Sequence, residues 1–133
     1  MAIMPLKTNN MTAEFIPYAQ ALELKELGFD YYNIAWYAVI DEKPRIVFLN
    51  YGDHWKICAP LYQQAFRWFR EKHNLFSVID VDQTMEPKFC YSLSKYADPY
   101  DWAILVFNSE LYYTYEEAEL ACLKKLIEIV KNK

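Results

Sequence analysis

Apolar residues recur at helical spacing in three stretches of the chain and at strand spacing in most of the rest. In PYAQALELKELG, Tyr18, Ala21, Leu24 and Leu27 mark one face, while Glu23, Lys25 and Glu26 lie off it. Pro17 suits a first helical turn, and Gly28 suits the left-handed residue just past the end. In PLYQQAFRWFREKHN, Leu61, Ala65, Trp68 and Phe69 fall at i, i+4, i+7 and i+8, a second helical stripe. Gln63, Arg67 and Arg70 occupy another face, and Asn74 is the expected stop.

The third helix closes the chain and carries the most start signals. Thr114 stands three residues before Glu117, the spacing of a capping box. Tyr113 and Ala118 hold the positions of a hydrophobic staple, although alanine is a small partner. Glu116, Glu117 and Glu119 fill the first turns, and Lys124, Lys125, Lys131 and Lys133 follow, the order a helix dipole favours. Leu123, Leu126, Ile127 and Val130 form the stripe expected to be buried.

Between the helices, aromatic and β-branched runs predict strands. YYNIAWYAVID and RIVFLNYG flank a turn at Asp41-Glu42-Lys43-Pro44 and read as a hairpin. In the return strand Val47 and Leu49 alternate with Ile46 and Phe48, so both faces are apolar. That predicts a central strand, or one covered on both sides. LFSVIDVD is a third strand. KFCYSLSKY alternates Phe89, Tyr91 and Leu93 with smaller or polar residues, as a half-buried strand does. Asp98-Pro99 turns the chain before a last strand, DWAILVFNS. The order is α-β-β-α-β-β-β-α. Short turns favour antiparallel pairing, so the expected fold is α+β: two layers, a mostly antiparallel sheet of about five strands, and three helices. Residues 1–12 are polar and broken by proline, and are expected to be a flexible segment before a single domain over 13–133.

Composition adds constraints. The chain has 133 residues with 54% apolar and 24% charged, ordinary for a globular domain. With only 2 glycines, a phosphate-cradling loop of the P-loop or dinucleotide-binding kind is excluded. The net charge of −4 opposes a nucleic-acid surface. Cys58, Cys90 and Cys122 lie in apolar runs and read as core thiols in a reducing compartment. The N-terminus lacks the apolar core of a signal peptide, and no run reaches the roughly 20 apolar residues of a membrane span. The expectation is a cytoplasmic protein that meets neither membrane nor nucleic acid.

Three segments, ALELKELGFD, APLYQQAFRWFREKHNLF and YTYEEAELACLKKLIEIV, resemble those of small uncharacterised proteins of Bacteroidota and their phages. In that group a LKELGFD helix end, a proline-led QAFRWFRE helix and a TYEEAELACLxKLIE terminus recur in this order. The likeness spans about Ala21 to Val130. It implies a phage or mobile-element accessory and a single-domain architecture, and it carries over no functional residue.

Candidate chemistry is thin. His54, beside Asp53 in a loop, offers a base or a metal ligand; His73, near a helix end, more simply complements the dipole. Asp80 and Asp82 share a strand face and offer acid–base chemistry or a cation site, or simply end the strand at its turn. Asp98 and Asp101 read as turn residues. Cys58 before Pro60 offers a thiolate at a helix start, or core packing. Asp53, His54 and Cys58 form the least implausible catalytic cluster. Arg67 and Arg70, one turn apart beside Gln63, can grip a phosphate or carboxylate, or form a solvated helix face.

The aromatic share of 18%, with 12 tyrosines, is the most informative departure from an ordinary domain. Tyrosine joins an apolar body to a polar tip and favours interfaces. Either the surplus fills the core with hydroxyls at its rim, or part of it lines a pocket or partner surface. The leading expectation is a non-enzymatic interaction protein with an aromatic-rich face for a protein partner or a second copy. The alternative is a small-molecule or nucleotide site with Trp36, Tyr37 and Tyr62 as its aromatic wall and Arg67 or Arg70 as its anion contact. A small enzyme ranks third. No cofactor or metal is implied.

Overall fold

A computed structural model describes residues 13–31, 34–48, 57–84, 86–96 and 103–133. The predicted flexible segment at 1–12 lies outside them. The fold is α+β, with three helices and two three-stranded antiparallel sheets among the described residues. The chain separates into two compact units, residues 1–65 and 66–133.

The first unit opens on helix α1, Tyr18–Glu26. Pro17 stands one residue earlier than expected, at the N-cap, and its carbonyl accepts from the Ala21 N–H at 2.9 Å. Gly28 ends the helix with φ +95°, in the left-handed region. The Gly28 N–H donates to the Lys25 carbonyl and the Phe29 N–H to the Leu24 carbonyl, at 3.1 and 3.0 Å. These two bonds make a Schellman motif, which turns the chain back over the last helical turn.

Strands β1 (Trp36–Ile40), β2 (Lys43–Val47) and β3 (Ile57–Cys58) form the first sheet in the order β2-β1-β3. Two expectations are corrected here. The turn is Asp41-Glu42 alone, and Lys43 and Pro44 belong to β2, opposite Ile40 and Val39. Among the described residues β2 is an edge strand, not a central one. Pro44 has no N–H to give a second neighbour, which confines its strand to an edge. Apolar residues on both faces therefore did not mean cover on both, and Phe48 just beyond the strand remains exposed.

Both loop residues have positive φ, Asp41 at 52° and Glu42 at 64°. A two-residue hairpin loop with this geometry is type I′, and only glycine, asparagine and aspartate take it cheaply. Glu42→Gly is expected to stabilise the protein by about 0.5–1 kcal/mol and to raise Tm by a few degrees in a thermal melt. An unchanged or lower Tm would show that Glu42 holds its φ without cost.

The chain before α1 is tied to the segment after β3. Ile16 N–H donates to Pro60 O at 2.9 Å, and Tyr62 N–H to Glu14 O at 3.2 Å. The core of this unit holds Phe15, Ile16, Ala21, Leu24, Ala35, Tyr37, Ala38, Ala59 and Tyr62. Helix α2 spans Tyr62–His73. Its first turn closes the first unit, where the Gln64 side chain accepts from the Leu61 N–H at 2.9 Å. From Phe66 onward it belongs to the second.

In the second unit, α2 buries Trp68 and Phe69, as its stripe predicts. Asn74 stops it at φ 57°, and the Leu75 N–H reaches back to the Phe69 carbonyl at 3.1 Å. The Asn74 side chain donates to the Tyr96 carbonyl. Strands β4 (Phe76–Val81), β5 (Phe89–Tyr96) and β6 (Ala103–Asn108) form a meander in that order. Ser77, Leu93 and Phe107 align across it, with a bulge beside Leu93 and Ser94. Tyr91 and Leu93 are buried, as the alternation in β5 predicts.

Helix α3, Tyr115–Lys131, packs on β5 and β4. Thr114 caps it, accepting from the Glu117 N–H at 3.1 Å while its hydroxyl donates to the Glu117 carboxylate at 3.2 Å. Ala118, Cys122, Leu123, Leu126 and Ile127 are its buried face. Val130 is only half-buried, and the predicted staple does not close, because Tyr113 is 67% exposed. An alanine offers too little surface to hold the ring down.

The expectation of one sheet of about five strands is thus corrected to six strands in two sheets among the described residues. The additional strand, Ile57–Cys58, is too short for any periodicity to reveal.

Candidate functional site: an aromatic cleft in the first unit

The Schellman turn sets the geometry of the site. Once Gly28 reverses the chain, Phe29 falls back against Leu24, and Asp30 and Tyr31 continue over the end of α1. Trp36 enters from the start of β1, and Cys58 is its partner across the ladder on β3. Together they enclose a cleft of about 270 Å3. Its floor is Ala21, Leu24, Cys58 and Pro60; its rings are Phe29, Tyr31 and Trp36; its charges are Lys25 and Asp30. The Phe29 and Tyr31 rings lie 5.8 Å apart, inclined at 45°. Lys25 and Asp30 are exposed and, among the described residues, neither side chain makes an ion pair.

Of the five residues the sequence nominates, Trp36 alone lines this cleft. Tyr37, next along the strand, faces the opposite way. It is buried, stacks edge-on against Tyr18 at 5.2 Å, and donates its hydroxyl to the Ile16 carbonyl. Burial raises its pKa, so the hydroxyl stays a donor. Tyr62 is buried in the core. Arg67 and Arg70 are exposed residues of the second unit, and Arg67 pairs with Glu71 at 3.3 Å, one turn on. An exposed i,i+4 pair of this kind contributes about 0.3–0.5 kcal/mol. The cation at the cleft is Lys25, which helical periodicity puts off the apolar face of α1 and so leaves unmarked. The legible signal was Gly28: a glycine stop followed by Phe29 folds the next residues back onto the helix end.

The remaining candidates have structural roles. Cys58 lies in a strand, not at a helix start, and burial pushes its thiol up to about 12. It is no thiolate at neutral pH. Asp53 and His54, and likewise Asp98 and Asp101, lie outside the described residues. Asp82 accepts from the Thr84 N–H at 2.9 Å and from the Thr84 hydroxyl at 2.7 Å, which lower its pKa and build the turn after β4. Asp80 accepts from the Val81 N–H next to it. Among the described residues no group of three or more His, Cys, Asp or Glu could hold a metal ion. Nor is any described helix long and apolar enough to cross a membrane.

His73 corrects another expectation. Complementing the dipole requires a charged imidazole, but burial and then Lys133 lower its pKa. Its ring packs on Trp68 at 4.8 Å, and Nδ1 lies 3.3 Å from the Lys133 ammonium. An ammonium only donates, so Nδ1 accepts and the ring is neutral. A depressed folded pKa means that protons favour the unfolded chain. The contribution of His73 is therefore complete above its ordinary pKa of 6.5 and is lost as pH falls below it, toward the folded value. Between pH 7.5 and 5.0 the native protein is expected to lose more Tm than His73→Gln does. Equal losses would remove His73 from the acid response.

Aromatic residues divide between the two expected fates. Tyr37, Tyr62, Trp68 and Tyr91 are core, Tyr31, Trp36 and Tyr112 are half-buried, and Tyr96, Tyr113 and Tyr115 are exposed. Tyr32, Tyr51, Trp55, Tyr100 and Trp102 lie outside the described residues. No family model, curated protein or solved structure matches the chain.

Proposed function

We propose that the protein is a non-enzymatic binding protein, and that the cleft beside the end of α1 is its ligand site, taking a small molecule with a compact apolar head. The convergence of Phe29, Tyr31 and Trp36 on one concavity, with Lys25 and Asp30 at its edge, carries this reading. A mostly apolar pocket with a few polar groups is the usual form of a small-molecule site. The thiol that lines it, Cys58, is held protonated, which favours binding over nucleophilic chemistry. The free cysteines Cys58, Cys90 and Cys122 favour a reducing compartment such as the cytoplasm.

Indole is a suitable first probe. Titrated at millimolar concentration, it is expected to move the Trp36 indole N–H signal in a two-dimensional NMR spectrum, with that signal identified by its loss in Trp36→Phe. Tyr31→Ala should weaken the binding about tenfold, from lost ring contact. No shift at millimolar indole would overturn the reading.

A second reading, interaction with a partner or a second copy, is favoured by the second sheet. Val78 on β4 is 56% exposed and Leu105 on β6 is 58% exposed, with Tyr96 also open to solvent. Exposed apolar patches mark interaction sites when they are contiguous. Light scattering on the eluting protein tests this. A dimer that Leu105→Lys converts to monomer supports it, and a strict monomer counts against it.

A further inference from the structure

Resting on the ligand-site reading above, we propose that the cleft recognises a small zwitterion, with a methylated ammonium head among the rings and Asp30 and an anionic end at Lys25. Three features carry the class. The Phe29 and Tyr31 rings meet at 45° with centroids 5.8 Å apart. Inclined faces give a rounded cation contact with two rings at once. Trp36 adds a third ring, and tryptophan is the strongest cation–π partner. Asp30, between the two inclined rings in sequence, supplies the carboxylate such a head attracts.

Lys25 decides the remainder. A bare cation would meet repulsion from its ammonium, so the ligand must also carry negative charge within reach of it. Lys25 and Asp30 make no ion pair among the described residues, so neither charge is already neutralised by the other. The volume, about 270 Å3, falls just below the roughly 300–1,000 Å3 of drug-sized sites. That selects a compact zwitterion over a nucleotide, which would also ask for more than one cation to meet its phosphates.

Calorimetry on the full chain with glycine betaine, choline and indole tests this. Betaine should bind about tenfold more tightly than choline. Lys25→Gln should bring betaine down to the choline level, and Asp30→Asn should weaken both about tenfold while leaving indole unchanged. Both positions are exposed, so the variants should keep the native melting curve. If indole binds but neither ammonium compound does, the ligand class is overturned and the site stands. If Lys25→Gln binds betaine as the native protein does, the zwitterion is overturned. If none of the three probes binds, the site itself falls.

Discussion

Leu126→Ala is expected to destabilise the protein by about 3–4 kcal/mol and to lower Tm by on the order of 10 °C. Leu126 is fully buried and lies in the middle of the face that α3 turns to β4 and β5, with Cys122 and Leu123 before it and Ile127 after. Alanine keeps the helix propensity, so the cost is not local. It is the lost transfer energy plus a void whose walls are held by neighbours that are themselves buried. Enclosed sites relax least, which places this one toward the upper part of the usual range for leucine. Lys124→Ala, on the exposed face of the same helix, is the control and should stay within about 0.5 kcal/mol. A cost below about 1 kcal/mol for Leu126→Ala would mean that α3 does not depend on its sheet. Following the same melt by fluorescence and by far-UV circular dichroism tests whether residues 13–133 unfold as one cooperative domain. Coincident curves support that expectation, and two steps overturn it.

What the sequence revealed and what it hid have the same physical origin. The starts and stops of helices depend on a few residues acting locally, so Gly28, Asn74 and Thr114 were legible one at a time. The stripe of α3 was legible because a period near 3.6 leaves no other face for Leu123, Leu126 and Ile127. Strand partners are another matter. Alternation says which face of a strand is apolar and nothing about which strand lies beside it. The division into two sheets, and the edge position of β2, were therefore invisible except through Pro44. The same limit hid the cleft. Trp36 and Tyr37 looked alike in sequence, yet successive strand residues face opposite ways, which sends one to the cleft and the other to the core. Lys25 lay off the apolar face of its helix and Asp30 carried no signal at all, because their meeting place depends on the reversal at Gly28 rather than on their spacing.

Leu24→Ala is expected to couple stability to binding. Leu24 is buried and supplies three things at once: core packing, floor for the cleft, and the carbonyl that accepts from Phe29 in the Schellman motif. The backbone bond survives the substitution, but the apolar contact that accompanies it, between Leu24 and Phe29, is lost. Phe29 then has less to rest on. The predicted cost is about 2–3 kcal/mol, below that of Leu126→Ala, because the space opened joins a cleft that water already reaches rather than forming a sealed void. Indole affinity should fall as well, by about tenfold, since the wall formed by Phe29 and Tyr31 is no longer held in place. Leu24→Met separates the two effects: it keeps the volume, should cost less than about 1.5 kcal/mol, and should retain indole binding. If Leu24→Ala lost stability while indole bound as before, the loop after Gly28 would be held by its backbone bonds alone. Pre-organisation of the cleft would then have to come from the strand side, at Trp36 and Cys58.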